Sequence, residues 1–203
     1  MTESLQDQAD ELRFAVEMSI RYHRRRAAFL EATNNLLNLM TLAGGAGAFV
    51  SLFGPGTLLA KLLAVLVTGI GIIRIVYSPQ ACAIRHKEWL SRWMNILHEI
   101  KMADAVTIPV VADWTKRTFA IEGECVIEMR ALQADCYNRT ARALSRSDEY
   151  NYDIRWWHRL FMHVIRFEHA FEGPPRKKLP RRRFWLFGKR AAKQLQTPRD
   201  EPE

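Results

Sequence analysis

The sequence predicts an all-α membrane protein, in which a two-helix transmembrane hairpin is flanked by long cytoplasmic helices that pack as a bundle. Residues 36–76 form a nearly continuous apolar run whose only ionisable side chains are Lys61 and Arg74. On both sides of the run, apolar residues recur every three or four positions, the spacing of one face of an α-helix. The mean hydropathy of the whole chain is only -0.19, so its apolar residues are concentrated in this run.

The apolar run is too long for one ordinary spanning helix, which needs about 20 residues. Residues 54–56 read Gly-Pro-Gly, a combination typical of a tight turn. The run therefore divides into a first span at 36–53, a turn at 54–57 and a second span at 58–77. Together these segments form the predicted hairpin domain, 36–77.

Small residues occupy the middle of the first span, at Gly44, Gly45, Gly47 and Ala48. Inside lipid, small side chains let helix backbones approach closely and pack by van der Waals contact. The favoured contact lies either within the hairpin or between the subunits of an oligomer, as an assembled pore would need.

The second span carries Lys61 and Arg74 about one turn from its ends. Both side chains can snorkel to the membrane interface along their aliphatic stems. The alternative is that Lys61 lines an oligomeric pore as a ring of positive charge, which would favour anions.

Positive charge flanks the hairpin on both sides. The basic residues before it are Arg21, Arg24, Arg25 and Arg26, and those after it are Arg85, Lys87 and Arg92. Lys and Arg close to a span stay on the cytoplasmic side and set its orientation. We therefore expect both termini in the cytoplasm, the hairpin in a bacterial inner membrane and the N-terminal arginines near lipid headgroups.

The cytoplasmic helices are predicted from two matching apolar stripes. Residues 1–35 form an N-terminal helix whose stripe includes Leu12, Val16, Ile20 and His23, and a helix over 78–102 carries Leu90, Trp93, Leu97 and Ile100. We expect these stripes to pack together. After Pro109, a further helix is predicted over 114–145, capped by Asp113 and weakened at Gly123. The predicted cytoplasmic helical domain is 78–145.

The C-terminal part is predicted as two further segments. In 146–172 an amphipathic, Trp-rich helix over 153–171 carries Trp157, Leu160 and Val164 on one side, and it either lies on the membrane surface or packs on the bundle. Residues 173–203 form a basic disordered tail, with nine Lys or Arg and no acidic residue between 176 and 193. The tail residues predicted to meet anionic lipid headgroups are Lys177, Lys178, Arg181, Arg182, Arg183 and Trp185.

Two other interpretations of this basic tail are weaker. One is a solvated tail without a specific partner. The other is nucleic-acid binding, which the net charge of +8 permits but which no recognisable module accompanies.

The sequence contains no pattern typical of an active site. The three cysteines have no CxxC spacing, which argues against a disulfide framework and a zinc site. His158, His163 and His169 are spaced five and six apart and do not share a helical face as metal ligands would. We therefore assign no catalytic residue, cofactor or metal.

The segment from Leu12 to Lys101 resembles the bacterial SLATT superfamily of two-transmembrane effectors associated with nucleotide-sensing conflict systems. The resemblance rests on a charged helix before the membrane (residues 19–26, Ser-Ile-Arg-Tyr-His-Arg-Arg-Arg), a short-turn hairpin, and a returning helix with Arg-His-Lys-Glu-Trp at 85–89. It implies an oligomeric inner-membrane effector that forms pores or disrupts the membrane when a cytoplasmic sensor protein is triggered. Anti-phage defence is the setting that it implies.

Two other functions fit the same organisation. In one, the hairpin is only an anchor for a helical adaptor or scaffold without channel activity. In the other, the chain is a holin-like phage membrane protein, although its cytoplasmic part is larger than hole formation would require.

Overall fold

A computed structural model describes residues 4–51, 58–125, 129–146, 151–167 and 170–171, and this part of the chain is all-helical. Its helices, in chain order, are α1 (Leu5–Ser51), α2 (Leu58–Tyr77), α3 (Pro79–Met102), α4 (Ile108–Glu124), α5 (Arg130–Ala143) and α6 (Trp156–Phe161). The all-α class predicted from the sequence is confirmed for these residues.

The longest element, α1, joins two predicted domains. It continues for 47 residues without a break between the predicted cytoplasmic helix at 1–35 and the first predicted span. It starts at a capping box, because the Asp7 amide donates to the Ser4 hydroxyl at 3.1 Å and the Ser4 amide donates to the Asp7 carboxylate at 3.2 Å. No glycine or proline follows before Gly44. The domain boundary at 35 is therefore not a break in the backbone.

The core of the bundle forms where α1 packs against α3, with α4 covering one side. The buried residues at its centre are Val16, Ile20, Trp93, Ile96, Trp114 and Ile121. Leu12, Leu90, Leu97 and Ile100 pack against this cluster. The predicted contact between the two apolar stripes is confirmed.

The helix predicted over 114–145 is wrong, because the structure has two shorter helices there. α4 already begins at Ile108, with Thr107 at its N-cap and Pro109 in its first turn, so Asp113 lies inside the helix rather than at its cap. Proline is tolerated in the first turn, where its missing N–H would have no partner. α4 ends one residue after Gly123, and the Met129 amide before α5 donates to the Tyr22 hydroxyl at 3.0 Å.

The amphipathic helix predicted over 153–171 is also wrong in extent, because α6 covers only Trp156–Phe161. The chain turns back after α6, and Phe167 and Phe171 adopt positive φ values of 51° and 71°. Rings from both arms meet: Trp157 lies 5.3 Å from Phe167, and His158 lies 5.0 Å from Phe171. This aromatic packing explains why the amphipathic pattern does not continue as a helix.

The C-terminal segment contacts the bundle, whereas Leu160 (64% exposed) and Val164 (67% exposed) of its predicted apolar face remain exposed, so its placement on the membrane surface stays a prediction. The Asn138 side chain donates to the Tyr152 carbonyl and accepts from the Tyr152 amide, both at 2.8 Å. Met162 packs against the cluster of Tyr22 and Leu132.

The apolar helices lie outside this bundle. α2 packs along the C-terminal part of α1, and both expose large apolar side chains, including Leu42 at 73%, Val65 at 71% and Val76 at 82% exposure. Within the described residues, one helical run, Lys61–Met102, is long and apolar enough to cross a membrane. The predicted first span reaches past Ser51, and the turn at 54–57 lies outside the described residues. The two-span hairpin therefore stays a prediction.

Candidate functional site

A cluster of polar side chains lies at the junction between the bundle and the apolar helices. One turn of α1 supplies most of it, because the buried residues Tyr22, His23 and Arg26 lie within five positions and point to different neighbours. We call this cluster the junction cluster, and its other members are Arg25 of α1, Tyr77 of α2, His86 of α3, Asp135 of α5 and His163 after α6. Four elements are thereby joined to α1 where its apolar part is about to begin.

The centre of the junction cluster is a pair of buried histidines. The Nδ1 atoms of His23 and His86 lie 2.9 Å apart, and the Trp89 ring lies 5.2 Å from His86. Since a neutral imidazole has one N–H and one free lone pair, one ring donates and the other accepts. Burial and the neighbouring His86 lower the pKa of His23 to about 3, and burial and Arg26 lower the pKa of His86 to about 4. Both rings are therefore neutral at physiological pH.

An ion pair joins α1 to α5. Arg25 donates to the Asp135 carboxylate, and Arg139 donates to the same oxygen at 2.7 Å. Burial alone would raise the pKa of Asp135, but the hydrogen bonds from Arg139 and Arg25 outweigh it, and that pKa is lowered. Because only 5% of the Asp135 side chain is exposed, this carboxylate is held charged inside the protein.

Arg26 joins α1 to α2 and to the segment after α6. Its guanidinium donates to the His163 carbonyl and, at 3.2 Å, to the Tyr77 hydroxyl at the end of α2. Phe29 stacks on the His163 ring at 4.5 Å with an angle of 10°. Burial, Arg25 and Arg26 lower the pKa of His163 to about 4, so this ring is also neutral.

The arginines predicted to meet lipid headgroups are thus divided between two roles. Arg25 and Arg26 bind protein groups, Arg24 is exposed and Arg21 is half-buried. The physical reason is the helix itself: adjacent residues on a helix point about 100° apart, so consecutive arginines cannot all face the same side. Their predicted effect on orientation stays a prediction.

Of the glycines predicted to pack closely against another helix, two face α2 and one does not. A Cβ atom at Gly44 would lie 2.4 Å from Val67 Cγ2, and one at Gly47 would lie 3.2 Å from Leu63 Cδ1, so both glycines face α2. A Cβ atom at Gly45 would meet nothing within 4 Å. The side chain of Ala48 lies outside the described residues.

The predicted basic sites also lie apart from the junction cluster. Lys61 is exposed, and Arg74 is half-buried in a groove described below. The predicted headgroup residues of the tail, Lys177, Lys178, Arg181, Arg182, Arg183 and Trp185, lie outside the described residues.

A small cavity of about 60 Å³ lies beside the histidine pair, lined by His23, Ser19, Gln133 and Trp93 among others. The Trp93 indole N–H is buried and has no hydrogen-bond partner in the described part of the protein. A polar cavity of this size holds a few water molecules. Across the described ranges no group of three His, Cys, Asp or Glu could hold a metal ion.

Sequence reasoning placed His23 on the core face of its helix but missed every partner in the junction cluster. His86, Asp135 and His163 lie 63 to 137 positions away from their α1 partners. The position of His23 on an apolar stripe does indicate that its ring is buried and has a polar partner. It does not indicate which residue that partner is.

Comparisons of the chain with family models, curated proteins and solved structures found no match. The junction cluster therefore has to be interpreted from its own geometry. Chemically it joins α1 to its neighbours through a pair of neutral histidines, hydrogen bonds and an ion pair.

Proposed function

We propose that this chain is a two-span protein of the bacterial inner membrane that acts as an oligomeric effector of a conflict system. In this proposal a cytoplasmic signal rearranges the bundle, and the hairpins respond by forming a pore or disrupting the membrane. The observation that supports it best is the continuity of α1, which runs for 47 residues, about 70 Å, from the bundle core into the apolar segment.

A continuous helix transmits force, whereas a passive anchor needs no rigid connection. The junction cluster adds to this coupling, because α3, α5 and the residues after α6 all bind the same turn of α1. A movement of these cytoplasmic elements would therefore shift the apolar part of α1 directly. Exposed apolar side chains on α1 and α2 provide the surface for lipid and for neighbouring copies.

The test breaks the rigid connection. We would insert Gly-Ser-Gly-Ser after Asn35 and, as a matched control, insert the same residues after Asp104, between α3 and α4. Membrane potential is followed with a voltage-sensitive dye during expression in bacteria, with membrane levels of each protein measured by immunoblot. Under a trigger such as phage infection, we expect the wild type and the Asp104 insertion to depolarise cells and the Asn35 insertion not to. A wild type that leaves the potential unchanged with full expression under every trigger tried, or an Asn35 insertion with full activity, would contradict the proposal.

The orientation is tested separately by labelling. With the native cysteines replaced by serine, a cysteine at Thr57 should react with a membrane-impermeant maleimide added to intact cells. A cysteine at Asp104 should react only after the cells are opened. The opposite labelling would overturn the proposed topology.

An adaptor or scaffold is the second candidate, and one surface favours it. At the end of the bundle far from α2, exposed Ile108 (69%) and Phe119 (67%) border an open groove with Leu5. Such an exposed apolar groove suits a protein partner, including a cytoplasmic sensor. Replacing the hairpin with an unrelated two-span anchor separates the candidates: retained function supports the adaptor, and lost function supports the effector.

A further inference from the structure

A groove lies at the elbow between the second apolar helix and the bundle. It has a volume of about 720 Å³ and is lined by Asn34 of α1, by Gly71, Arg74 and Ile75 of α2, and by Gln80 and Ile84 of α3 among others. The elbow itself is Ser78, whose left-handed backbone (φ 39°) turns the chain between α2 and α3. A Cβ atom at Gly71 would meet nothing within 4 Å, so the groove is open at this point.

Among the described residues, Arg74 is the only charged side chain that lines this groove. It is half-buried, and in the described part of the protein no hydrogen bond or ion pair engages its guanidinium. Arg26, by contrast, donates to two protein groups. A cation that is partly withdrawn from water is stabilised by a nearby anion. No described residue supplies this anion, so a ligand that pairs with Arg74 in the groove would carry negative charge.

The walls of the groove indicate what else the partner contains. Ile75 is 81% exposed at the groove. Beside Gly71, towards the apolar middle of α2, Ile72 is 58% exposed and Ile73 is 53% exposed. The amides of Asn34 and Gln80 can donate hydrogen bonds to phosphate or ester oxygens. A free phosphate ion would satisfy the charge but would leave the aliphatic walls in water. An anionic molecule with an apolar chain satisfies both.

We infer that this groove binds one anionic phospholipid, with its phosphate at Arg74 and an acyl chain running past Gly71 towards the apolar middle of α2. The inference rests on the proposed membrane insertion and adds a specific lipid site to it. Arg74 lies one turn before Tyr77, which accepts a hydrogen bond from Arg26 of the junction cluster. The lipid would therefore hold the end of α2 at the same place where the bundle binds it.

The experiment uses the full-length protein purified in a maltoside detergent. Native mass spectrometry measures binding of dioleoylphosphatidylglycerol, with dioleoylphosphatidylcholine as the uncharged counterpart. We compare wild type with Arg74→Gln, and the matched control is Arg85→Gln, which removes an exposed arginine of α3 that does not line the groove. We expect about tenfold weaker phosphatidylglycerol binding in Arg74→Gln, which corresponds to about 1.4 kcal/mol, and wild-type binding in the control.

A second variant keeps the charge and fills the groove. Gly71→Leu should also weaken binding, whereas Arg74→Lys should keep the preference for phosphatidylglycerol over phosphatidylcholine. Circular dichroism checks that each variant retains its helices. If Arg74→Gln does not fold, the binding measured for Gly71→Leu tests whether the groove is the lipid site. Equal phosphatidylglycerol binding by wild type and the groove-filling variant would overturn the site, as would displacement of the lipid by millimolar inorganic phosphate.

Failure of this site is distinguishable from failure of the proposed function. Labelling of Thr57→Cys from outside the cell establishes membrane insertion independently of any lipid. A correctly inserted protein in which Arg74→Gln binds phosphatidylglycerol like wild type would refute the lipid site alone.

Discussion

The histidine pair makes the bundle sensitive to acid, and the size of the effect follows from its burial. A histidine in an unfolded chain has a pKa of about 6.5, whereas the pKa is about 3 for His23 and about 4 for His86 in the folded protein. Unfolding at pH 5 therefore takes up nearly one proton per ring. A lowered pKa stabilises the fold above pH 6.5, and this stabilisation is lost as the pH falls towards the folded pKa.

The magnitude comes from proton linkage. Between pH 7 and pH 5, each ring lowers the free energy of unfolding by about 2 kcal/mol, or about 4 kcal/mol for the pair. Protonation of both rings also removes the bond between them, since neither imidazolium then has a free lone pair to accept. His163, whose pKa is about 4, adds a further contribution to the wild-type change.

The assay is urea unfolding in detergent at several pH values, followed by the fluorescence of the buried tryptophans. His86→Gln replaces one ring with an amide that can still bind His23 but does not titrate. We expect its loss of stability between pH 7 and pH 5 to be about 2 kcal/mol smaller than that of wild type. His98→Gln removes an exposed ring of the same helix and serves as the control. An unchanged pH dependence in His86→Gln would refute the reasoning.

Two matched pairs of substitutions test the packing. Gly44→Ala should lower the thermal midpoint, because its methyl group would meet the stiff Val67 side chain, at a cost of about 1 to 3 kcal/mol, whereas Gly45→Ala should be neutral. Equal midpoints would contradict this contact. Asp135→Asn should cost about 2 kcal/mol in urea unfolding, because it removes the negative charge that accepts hydrogen bonds from Arg25 and Arg139. Glu31→Gln, in an exposed pair, should cost less than about 1 kcal/mol, and similar costs would disprove the buried role of Asp135.

The spacing of apolar residues along the chain was sufficient to predict the helices that carry the apolar stripes and to predict the apolar run. Leu12, Val16 and Ile20 recur at helical spacing, and the stripe at Leu90 and Trp93 matches them, so their contact could be predicted from sequence. Pattern was insufficient between residues 103 and 171. There the sequence has helical spacing on both sides of Gly123, and only the structure shows that α4 ends at Glu124 and that α5 begins after Met129, whose amide donates to the Tyr22 hydroxyl.

The candidate site was likewise predictable from the sequence only in part. The cluster of arginines before the apolar run was visible as charge, and charge predicts an interface with water or lipid. Whether an arginine is instead paired inside the protein depends on which residues lie opposite it. Asp135 lies 110 positions from Arg25, and a single sequence does not indicate that two residues so far apart form a pair.

The sequence alone determined that this protein is helical and has one long apolar region, because burial and lipid contact both require a periodic or continuous apolar pattern. The tertiary structure decided how the two regions are joined. His23 and His86, Arg25 and Asp135, and Arg26 and Tyr77 become partners only when α2, α3 and α5 pack around one turn of α1. Such pairing depends on the positions of helices in space, which a local pattern along the chain does not specify.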